Sequence, residues 1–428
     1  MKTLNFTIGN INAIDSYLYA GNLYVFFENG RIAYISFTYL VRLLQDNYPH
    51  FKNLFQLAFL HNDYTNTAPG RLFLGINGVQ SQIIKEWEKA RKEVCFTISF
   101  ESISRYFHDI GEWKSMPLDV RLYAMRLYMG CEDGLYESII IQDEKAKVTP
   151  GNIDKVFDSK VVSVNARYGT IAISADREGL FSSNISDPEL HVKIDERPKV
   201  GGSSLRTDWK DIDLLNYDAE SKFQYIHNES QRTNKNIPNY YTLRKGGEYK
   251  QIVNFAIQVD KMDPLLDELD VKNDDLSYCF NSSSSAFIKL KDGSFFVTDF
   301  KQRTEGAYKR IIKEVKGCKK IMSSVVIPNG CVLRYYDRIV LYKKDGSIIL
   351  HNGSTYGIRS YIHSNQYRSL VTINTEDSIG IHTTESFEPM PTSPENKSQY
   401  GRVKYSNIFR LKKQNSVEDN MNEEDLPF

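Results

Sequence analysis

Several local patterns that accompany enzymatic chemistry are missing from this chain of 428 residues. It contains no G-x-S-x-G nucleophile elbow, no P-loop and no G-x-G-x-x-G fingerprint, so the local signatures of many hydrolases, NTPases and dinucleotide-binding proteins are absent. The eight histidines show neither H-E-x-x-H nor H-x-H spacing. We therefore expect a non-enzymatic protein with no catalytic residues, no cofactor and no metal site.

Cysteine is scarce, and long apolar runs are missing. The five cysteines never form a C-x-x-C pair, which argues against a disulfide scaffold or a zinc site and fits a reducing compartment. No apolar run approaches the roughly 20 residues that span a bilayer, and the first residues do not resemble a secretory signal. These features predict a cytoplasmic protein that does not contact a membrane.

The chain has no net charge, because 54 Lys and Arg residues balance 54 Asp and Glu residues. A contact with nucleic acid must therefore come from a local basic patch. Basic residues interleave with aromatic ones in three segments, and such pairs can hold phosphates while bases stack on the rings. The candidates are Tyr240, Tyr241, Arg244 and Lys245, then Arg334, Tyr335 and Tyr336, and finally the segment 361–368. Core packing is the alternative reading, because Tyr is a normal strand residue.

What the sequence does contain is a recurring hairpin, in which two alternating apolar strands flank an Asn-Gly or Asp-Gly turn. The clearest turns are Asn29-Gly30, Asp292-Gly293 and Asp345-Gly346. Weaker copies turn at Asn77-Gly78, Asp133-Gly134, Glu178-Gly179 and Asp377-Ser378. A degenerate copy between Leu215 and Ile226 fills the one wide gap.

The mean spacing of these units is about 50 residues, which suits a propeller blade of four short strands. We therefore predict a mainly β fold, an irregular propeller-like array of about seven hairpin units with helical insertions near 79–94 and 304–320. The alternative is an α+β fold of two or three domains. One version of it is a clamp-like ring. The segment 259–268 suggests this version, because it is a short helix candidate followed by two strands.

Composition divides the chain into a β-rich body at 1–411 and an acidic tail at 412–428. Within the body, the polar stretches 187–206 and 228–247 are predicted loops, and 400–411 is a candidate last strand. The tail has too few apolar side chains to form a core, so we expect it to be disordered.

Two acidic pairs, Asp274-Asp275 and Glu132-Asp133, raise the alternative of a propeller glycosidase. Such an enzyme needs two carboxylates that face each other across the sugar. Neighbouring acids are more typical of turns, and the second pair lies at a predicted hairpin turn. We therefore favour a structural role for both pairs.

The tail ends in Glu423, Glu424, Asp425, Leu426, Pro427 and Phe428. An aromatic side chain beside a terminal carboxylate can enter an apolar pocket with a basic rim, and Pro lowers the cost of ordering the peptide. The three acidic side chains are attracted to basic surfaces, which speeds association and makes it sensitive to salt.

This hexapeptide resembles the C-terminal tip of bacterial single-stranded DNA-binding proteins. The resemblance implies that the tip recruits replication, recombination and repair enzymes, with Phe428 and its carboxylate as the anchor, Pro427 as support and Leu426 as a lesser contact. It implies electrostatic contacts for Glu423, Glu424 and Asp425. It does not extend to the body, because that family has a small OB-fold and a long linker.

These observations predict an interaction protein of bacterial or phage DNA replication or repair. Its partners are expected to be the proteins that receive the single-stranded DNA-binding protein tip. Two alternatives stay open, namely a body that binds single-stranded DNA or forms a clamp, and a sensor subunit of an antiviral defence system.

Overall fold

The computed structural model describes residues 3–60, 70, 73–143, 147–185, 190–210, 213–219, 223–230, 253–257, 269–281, 285–299, 309–318, 320–328, 330–343 and 346–385. Within them the chain forms seven small sheets. Neighbouring strands in these sheets pair antiparallel as meanders, except for one parallel pair at the edge of the five-stranded sheet, and the first strand of each sheet lies beside the first strand of the next. The seven first strands therefore surround a central axis, which is the arrangement of a β-propeller.

We number the sheets as blades in the order in which the chain forms them. Blade 7 closes the ring with β1 (Leu4–Gly9), β5 (Phe96–Ser99), β26 (Gly357–Ser360), β27 (Leu370–Asn374) and β28 (Ser378–Thr383). Blade 1 contains β2 (Ala13–Tyr19), β3 (Asn22–Phe27), β4 (Arg31–Ser36) and β6 (His108–Glu112). Blade 2 contains β7 (Pro117–Tyr123), β8 (Arg126–Cys131), β9 (Gly134–Gln142) and β10 (Val148–Phe157). Blade 3 contains β11 (Ser163–Arg167), β12 (Thr170–Ser174) and β13 (Leu180–Asn184).

The remaining blades follow the same plan. Blade 4 contains β14 (Arg206–Lys210), β15 (Asp213–Tyr217), β16 (Phe223–Ser230) and β17 (Val253–Ile257). Blade 5 contains β18 (Leu276–Asn281), β19 (Ser285–Leu290), β20 (Phe295–Asp299) and β21 (Lys309–Ile311). Blade 6 contains β22 (Ile321–Ile327), β23 (Gly330–Tyr335), β24 (Arg338–Lys343) and β25 (Gly346–Asn352).

Blade 7 joins the two ends of the propeller. Its first three strands come from the C-terminal part of the body, and β1 pairs antiparallel with β28, with Phe6 opposite Ile381. Strand β5 then adds to β1 in parallel, with Phe6 also opposite Phe96. Alternate side chains of β1, among them Phe6 and Ile8, are fully buried. Blade 7 therefore contains strands from both ends of the body and packs between blades 6 and 1, so it closes the ring.

Between β4 and β6, blade 1 carries a mostly helical insertion. Its elements are α1 (Phe37–Asn47), a 3₁₀ turn (Pro49–Phe51), α2 (Lys52–Phe55), a π turn (Gln56–Leu60), α3 (Asn77–Glu93), β5, α4 (Phe100–Ile103) and a 3₁₀ turn (Ser104–Tyr106). The side chain of Ser36 accepts a hydrogen bond from the Tyr39 amide and caps α1. Leu40, Val41 and Leu44 form its buried face. The insertion thus covers the closing blade with an apolar layer.

The predicted propeller-like array of about seven hairpin units is confirmed. Hairpins occupy the predicted positions at residues 30, 134, 179, 293 and 378, and β24 pairs with β25 on the two sides of the predicted turn near 346, with Lys343 opposite Gly346. The degenerate unit is the hairpin of β15 and β16 in blade 4. Gly134 is needed at its turn, because a Cβ there would lie 2.2 Å from the Phe157 carbonyl oxygen. The blades form one propeller ring. The alternative prediction, separate α+β domains or a clamp-like ring, is therefore wrong.

Two local predictions are wrong. Asn77-Gly78 does not form a hairpin turn but begins α3, which provides the helix predicted near 79–94. The helix predicted near 304–320 is not found in its described part, because 309–311 form β21 at the edge of blade 5. The apolar spacing of Ile311, Ile312 and Val315 fitted a helical face, but pairing with β20 overrides that local preference. Residues 300–308, like the suggested clamp segment 259–268, lie outside the described residues.

Candidate binding site at the central channel

The first strand of each blade alternates between side chains buried in the blade and side chains that face the axis. On β7, Val120 and Leu122 are buried, whereas Asp119, Arg121 and Tyr123 are partly exposed. The axis-facing side chains of neighbouring first strands contact one another. They therefore line a central channel, and much of its wall is charged.

One side of the channel is held together by Arg359 of β26. Its Nε lies 2.8 Å from Asp15 Oδ1, its Nη2 also contacts Asp15, and Nη2 lies 3.1 Å from Asp119 Oδ1. Burial disfavours the charge of Arg359, but the two carboxylates outweigh burial and raise its pKa well above the ordinary value. Arg359 thus ties together the first strands of blades 7, 1 and 2.

On the opposite side, Arg206 of β14 joins blades 4, 5 and 6. Its Nη1 donates to Tyr278 Oη at 2.8 Å and to Ser324 Oγ at 3.3 Å. Its Nη2 donates to the Cys279 carbonyl at 2.8 Å and to Asp208 at 3.1 Å. Burial opposes its charge, yet Asp208 and nearby phenol groups raise its pKa above the ordinary value. Arg206 is therefore also a structural residue.

Arg121 of β7 is not neutralised in this way by any described residue. Asp119 accepts a hydrogen bond from the Val164 amide at 2.9 Å, and Tyr123 accepts one from the Gly169 amide at 2.8 Å. Arg121 lies between these two contacts on β7 and is thereby placed beside Arg167, the last residue of β11. In the part of the chain that the structure describes, Arg121 forms no ion pair, and its buried Nε has no hydrogen-bond partner. Its charge remains available to a ligand.

Three arginine side chains lie near His363. It follows β26, near Arg368, at the end of the channel where the first strands finish. Burial by the surrounding walls, followed by the charges of three guanidinium groups, lowers the pKa of His363 to about 3, although its side chain reaches solvent. The three groups belong to Arg167, Arg121 and Arg368. We call these four residues the arginine opening.

An exposed aromatic ring lies beside the arginine opening. Tyr168 and Gly169 form the tight turn between β11 and β12, with φ of 52° and 71°. The Tyr168 side chain is 40% exposed, and the Arg167 guanidinium carbon lies 4.4 Å from the centre of its ring. Positive φ is unfavourable for a bulky residue such as Tyr. The turn nevertheless keeps the ring at the rim of the channel.

The residues predicted to bind nucleic acid are not all exposed to solvent. Tyr335 is fully buried, and its hydroxyl donates to Glu314 at 2.6 Å. Burial and that hydrogen bond raise the Tyr335 pKa well above its ordinary value, so the prediction for this ring is wrong. Tyr336 is 73% exposed, while Arg334 donates to the Tyr356 carbonyl. The described side chains therefore do not form the predicted basic and aromatic patch.

Other predicted site residues lie outside the described residues. These are Tyr240, Tyr241, Arg244 and Lys245, together with the C-terminal peptide Glu423, Glu424, Asp425, Leu426, Pro427 and Phe428. The segment 361–368 is described, and it supplies His363 and Arg368 to the arginine opening. The nucleic-acid-binding role of this segment stays a prediction.

The acidic pairs have structural partners. Glu132 pairs with Lys160 at 3.1 Å, and Asp133 accepts a hydrogen bond from Tyr136 at 2.6 Å, which lowers the Asp133 pKa. Asp274 and Asp275 lie in a 3₁₀ turn (Asn273–Asp275). Among the described residues, no group of three His, Cys, Asp or Glu side chains could hold a metal ion.

Comparison with known proteins gave similarity of fold alone. No protein-family model and no curated protein matches the chain. Among solved structures, the chain is similar to the WD40 propeller domain of Doa1, at 8% identity and a TM-score of 0.42, covering 90% of this chain and 94% of that one. It is similar to the computationally designed Ika8 protein, at 8% identity and a TM-score of 0.40, covering 90% and 100%. A third similar structure is the extracellular domain of BT4673 from B. thetaiotaomicron, at 10% identity and a TM-score of 0.37, covering 61% of this chain and 32% of that one.

None of the described helices combines the length and the apolar character that crossing a membrane requires.

Proposed function

We propose that this protein is a non-enzymatic interaction scaffold of bacterial or phage DNA replication or repair. The propeller is the rigid body, and the peptide from Glu423 to Phe428 recruits proteins that receive the tip of single-stranded DNA-binding proteins. The proposal rests chiefly on the sequence of that peptide, in which three acidic residues precede Leu-Pro-Phe. The fold supports it, because a propeller presents wide loop surfaces on a stable frame.

The position of the last described strand is compatible with this role. Strand β28 ends at Thr383, and the Thr384 amide donates to the Ser369 carbonyl at 2.7 Å. The body is therefore closed before the tail sequence begins. Residues 386–422 separate this end of the body from the peptide in the sequence. A partner can then engage the peptide without unfolding the blade.

Affinity capture from a bacterial lysate tests the proposal directly. The full chain should recover replication or repair proteins, whereas Phe428→Ala should lose them because the apolar anchor is gone. Met421→Ala is the matched control, since it removes an apolar side chain outside the tip. A synthetic peptide with the tip sequence of a single-stranded DNA-binding protein should displace the captured proteins.

Recovery of the same proteins by the Phe428→Ala variant would refute the proposal. Proteins that the synthetic tip peptide fails to displace would count against it equally.

A further inference from the structure

We infer that the arginine opening is a binding site for single-stranded nucleic acid. Arg121, Arg167 and Arg368 would hold phosphates, and the exposed ring of Tyr168 would stack against a base. This inference concerns the body of the protein and does not depend on the C-terminal peptide. It assigns the nucleic-acid contact to a surface other than Arg334, Tyr335 and Tyr336.

Positive charge is concentrated at one end of the channel. The chain has no net charge, yet the contacts of Asp119 with Val164 and of Tyr123 with Gly169 hold β7 against β11 and place Arg121 beside Arg167 at one end of the channel. With its pKa at about 3, His363 is neutral at physiological pH and adds no positive charge of its own. A guanidinium presents a planar fork of donors that matches phosphate oxygens. Several phosphates along one strand would therefore neutralise this surface better than one carboxylate.

Arg121 also has unused hydrogen-bonding capacity. Arg359 and Arg206 donate to acceptors on neighbouring first strands, although the Nε of Arg206 is itself buried without a hydrogen-bond partner among the described residues. The Nε of Arg121 is buried without a hydrogen-bond partner among the described residues. A buried donor without an acceptor costs stability, and a bound acceptor at this position would remove that cost. Phosphate oxygens supply such acceptors.

The exposed ring of Tyr168 indicates which kind of phosphate ligand binds. Tyr168 is 40% exposed at the channel rim, and Arg167 lies against its ring. Single-stranded nucleic acid exposes both phosphates and bases, and base stacking on an aromatic ring adds affinity without regard to sequence. A duplex hides its base faces. The combination of guanidinium groups and one exposed ring therefore favours a single strand.

Fluorescence anisotropy with a labelled oligo(dT) of about 20 nucleotides tests the inference on the full chain. Binding should weaken as salt rises, with Arg121→Gln and Arg167→Gln each lowering the affinity about five- to tenfold and flattening the logarithmic salt slope by about 0.7. Tyr168→Asn should lower the affinity about tenfold while tolerating the positive φ of the turn. Arg42→Gln is the matched control, because Arg42 is exposed on α1, away from the channel.

Three results would overturn the inference. They are the absence of oligonucleotide binding at low salt, unchanged binding by the folded Arg121→Gln and Arg167→Gln double variant, and displacement of the oligonucleotide by an acidic peptide as readily as by unlabelled oligo(dT). The last result would assign the surface to an acidic protein segment. Removal of Leu426 to Phe428 should leave oligonucleotide binding unchanged, so this test and the capture test fail independently.

Discussion

Arg359 and Arg121 face the same channel but lie in opposite electrostatic settings. Arg359 contacts the carboxylates of Asp15 and Asp119, which neutralise its charge and join three blades through it. Arg121 follows Asp119 by two residues on the same face of β7, yet it has no acidic partner in the described part of the chain. Arg359 therefore helps to build the propeller, whereas Arg121 remains open to a ligand.

The same distinction extends along the channel. Arg206 resembles Arg359 in bridging three first strands, although it has one carboxylate where Arg359 has two. The arginine opening lies beyond both, at the end of the first strands. The two bridging arginines are thus accompanied by carboxylates, whereas Arg121 is not neutralised by any described residue.

The largest effect should come from breaking the Arg359 bridge. Arg359→Met leaves Asp15 and Asp119 close together without their cation, and we expect a loss of about 3–5 kcal/mol in the free energy of unfolding. Arg121→Gln should change that free energy by less than about 0.5 kcal/mol. Urea unfolding followed by circular dichroism measures both. Equal losses in the two variants would remove the distinction between structural and open arginines.

Acid should destabilise the protein through a buried histidine of the closing blade. Burial lowers the pKa of His382 to about 4, and the ring contacts Thr3 Oγ1 at 3.1 Å. Between about pH 6.5 and pH 4, His382 is protonated in the unfolded chain but neutral in the folded chain. The free energy of unfolding therefore falls as the pH falls through that window. The full effect is at most about 3 kcal/mol.

Thermal unfolding at pH 7 and pH 4.5 tests this dependence, with His382→Gln as the variant that should lose part of it. His363 at the arginine opening shifts in the same direction but should contribute less, because its side chain is exposed and screened. An unchanged acid response in His382→Gln would contradict the assignment.

A smaller loss is expected on the opposite side of the channel. Asp208→Asn removes the negative charge beside Arg206 but leaves the donors to Tyr278 and the Cys279 carbonyl in place. We expect a loss of about 1–2 kcal/mol in the free energy of unfolding. Asp195→Asn is the control, because Asp195 forms an exposed pair with Lys199. If Asp208→Asn costs as much as Arg359→Met, the number of carboxylates does not set the strength of the two bridges.

The sequence predicted the fold better than the site. Hairpin turns such as Asp133-Gly134 carry a local signal, since Gly accepts positive φ, and their spacing identified the propeller. The arginine opening has no such signal, because Arg121, Arg167 and Arg368 are far apart in sequence and meet only when the blades close into a ring. Alternation on β7 shows that Asp119 and Arg121 share a face, but not that this strand is the innermost one. For the same reason the buried Tyr335 could not be distinguished from the exposed Tyr336.

The smallest effect should appear in the titration of His363. Arg167, Arg121 and Arg368 disfavour its protonated form, so the removal of any one of these charges should raise its pKa from about 3 toward the ordinary value. Arg368→Gln is the suitable variant, since Arg368 is exposed and follows the buried Tyr367 without an ion pair in the described part of the chain. Proton NMR of the imidazole ring measures the shift, and His50, which lies on the helical insertion, is the internal reference. A His363 pKa that does not move would mean that burial alone sets it and that the three guanidinium groups do not act together at this end of the channel.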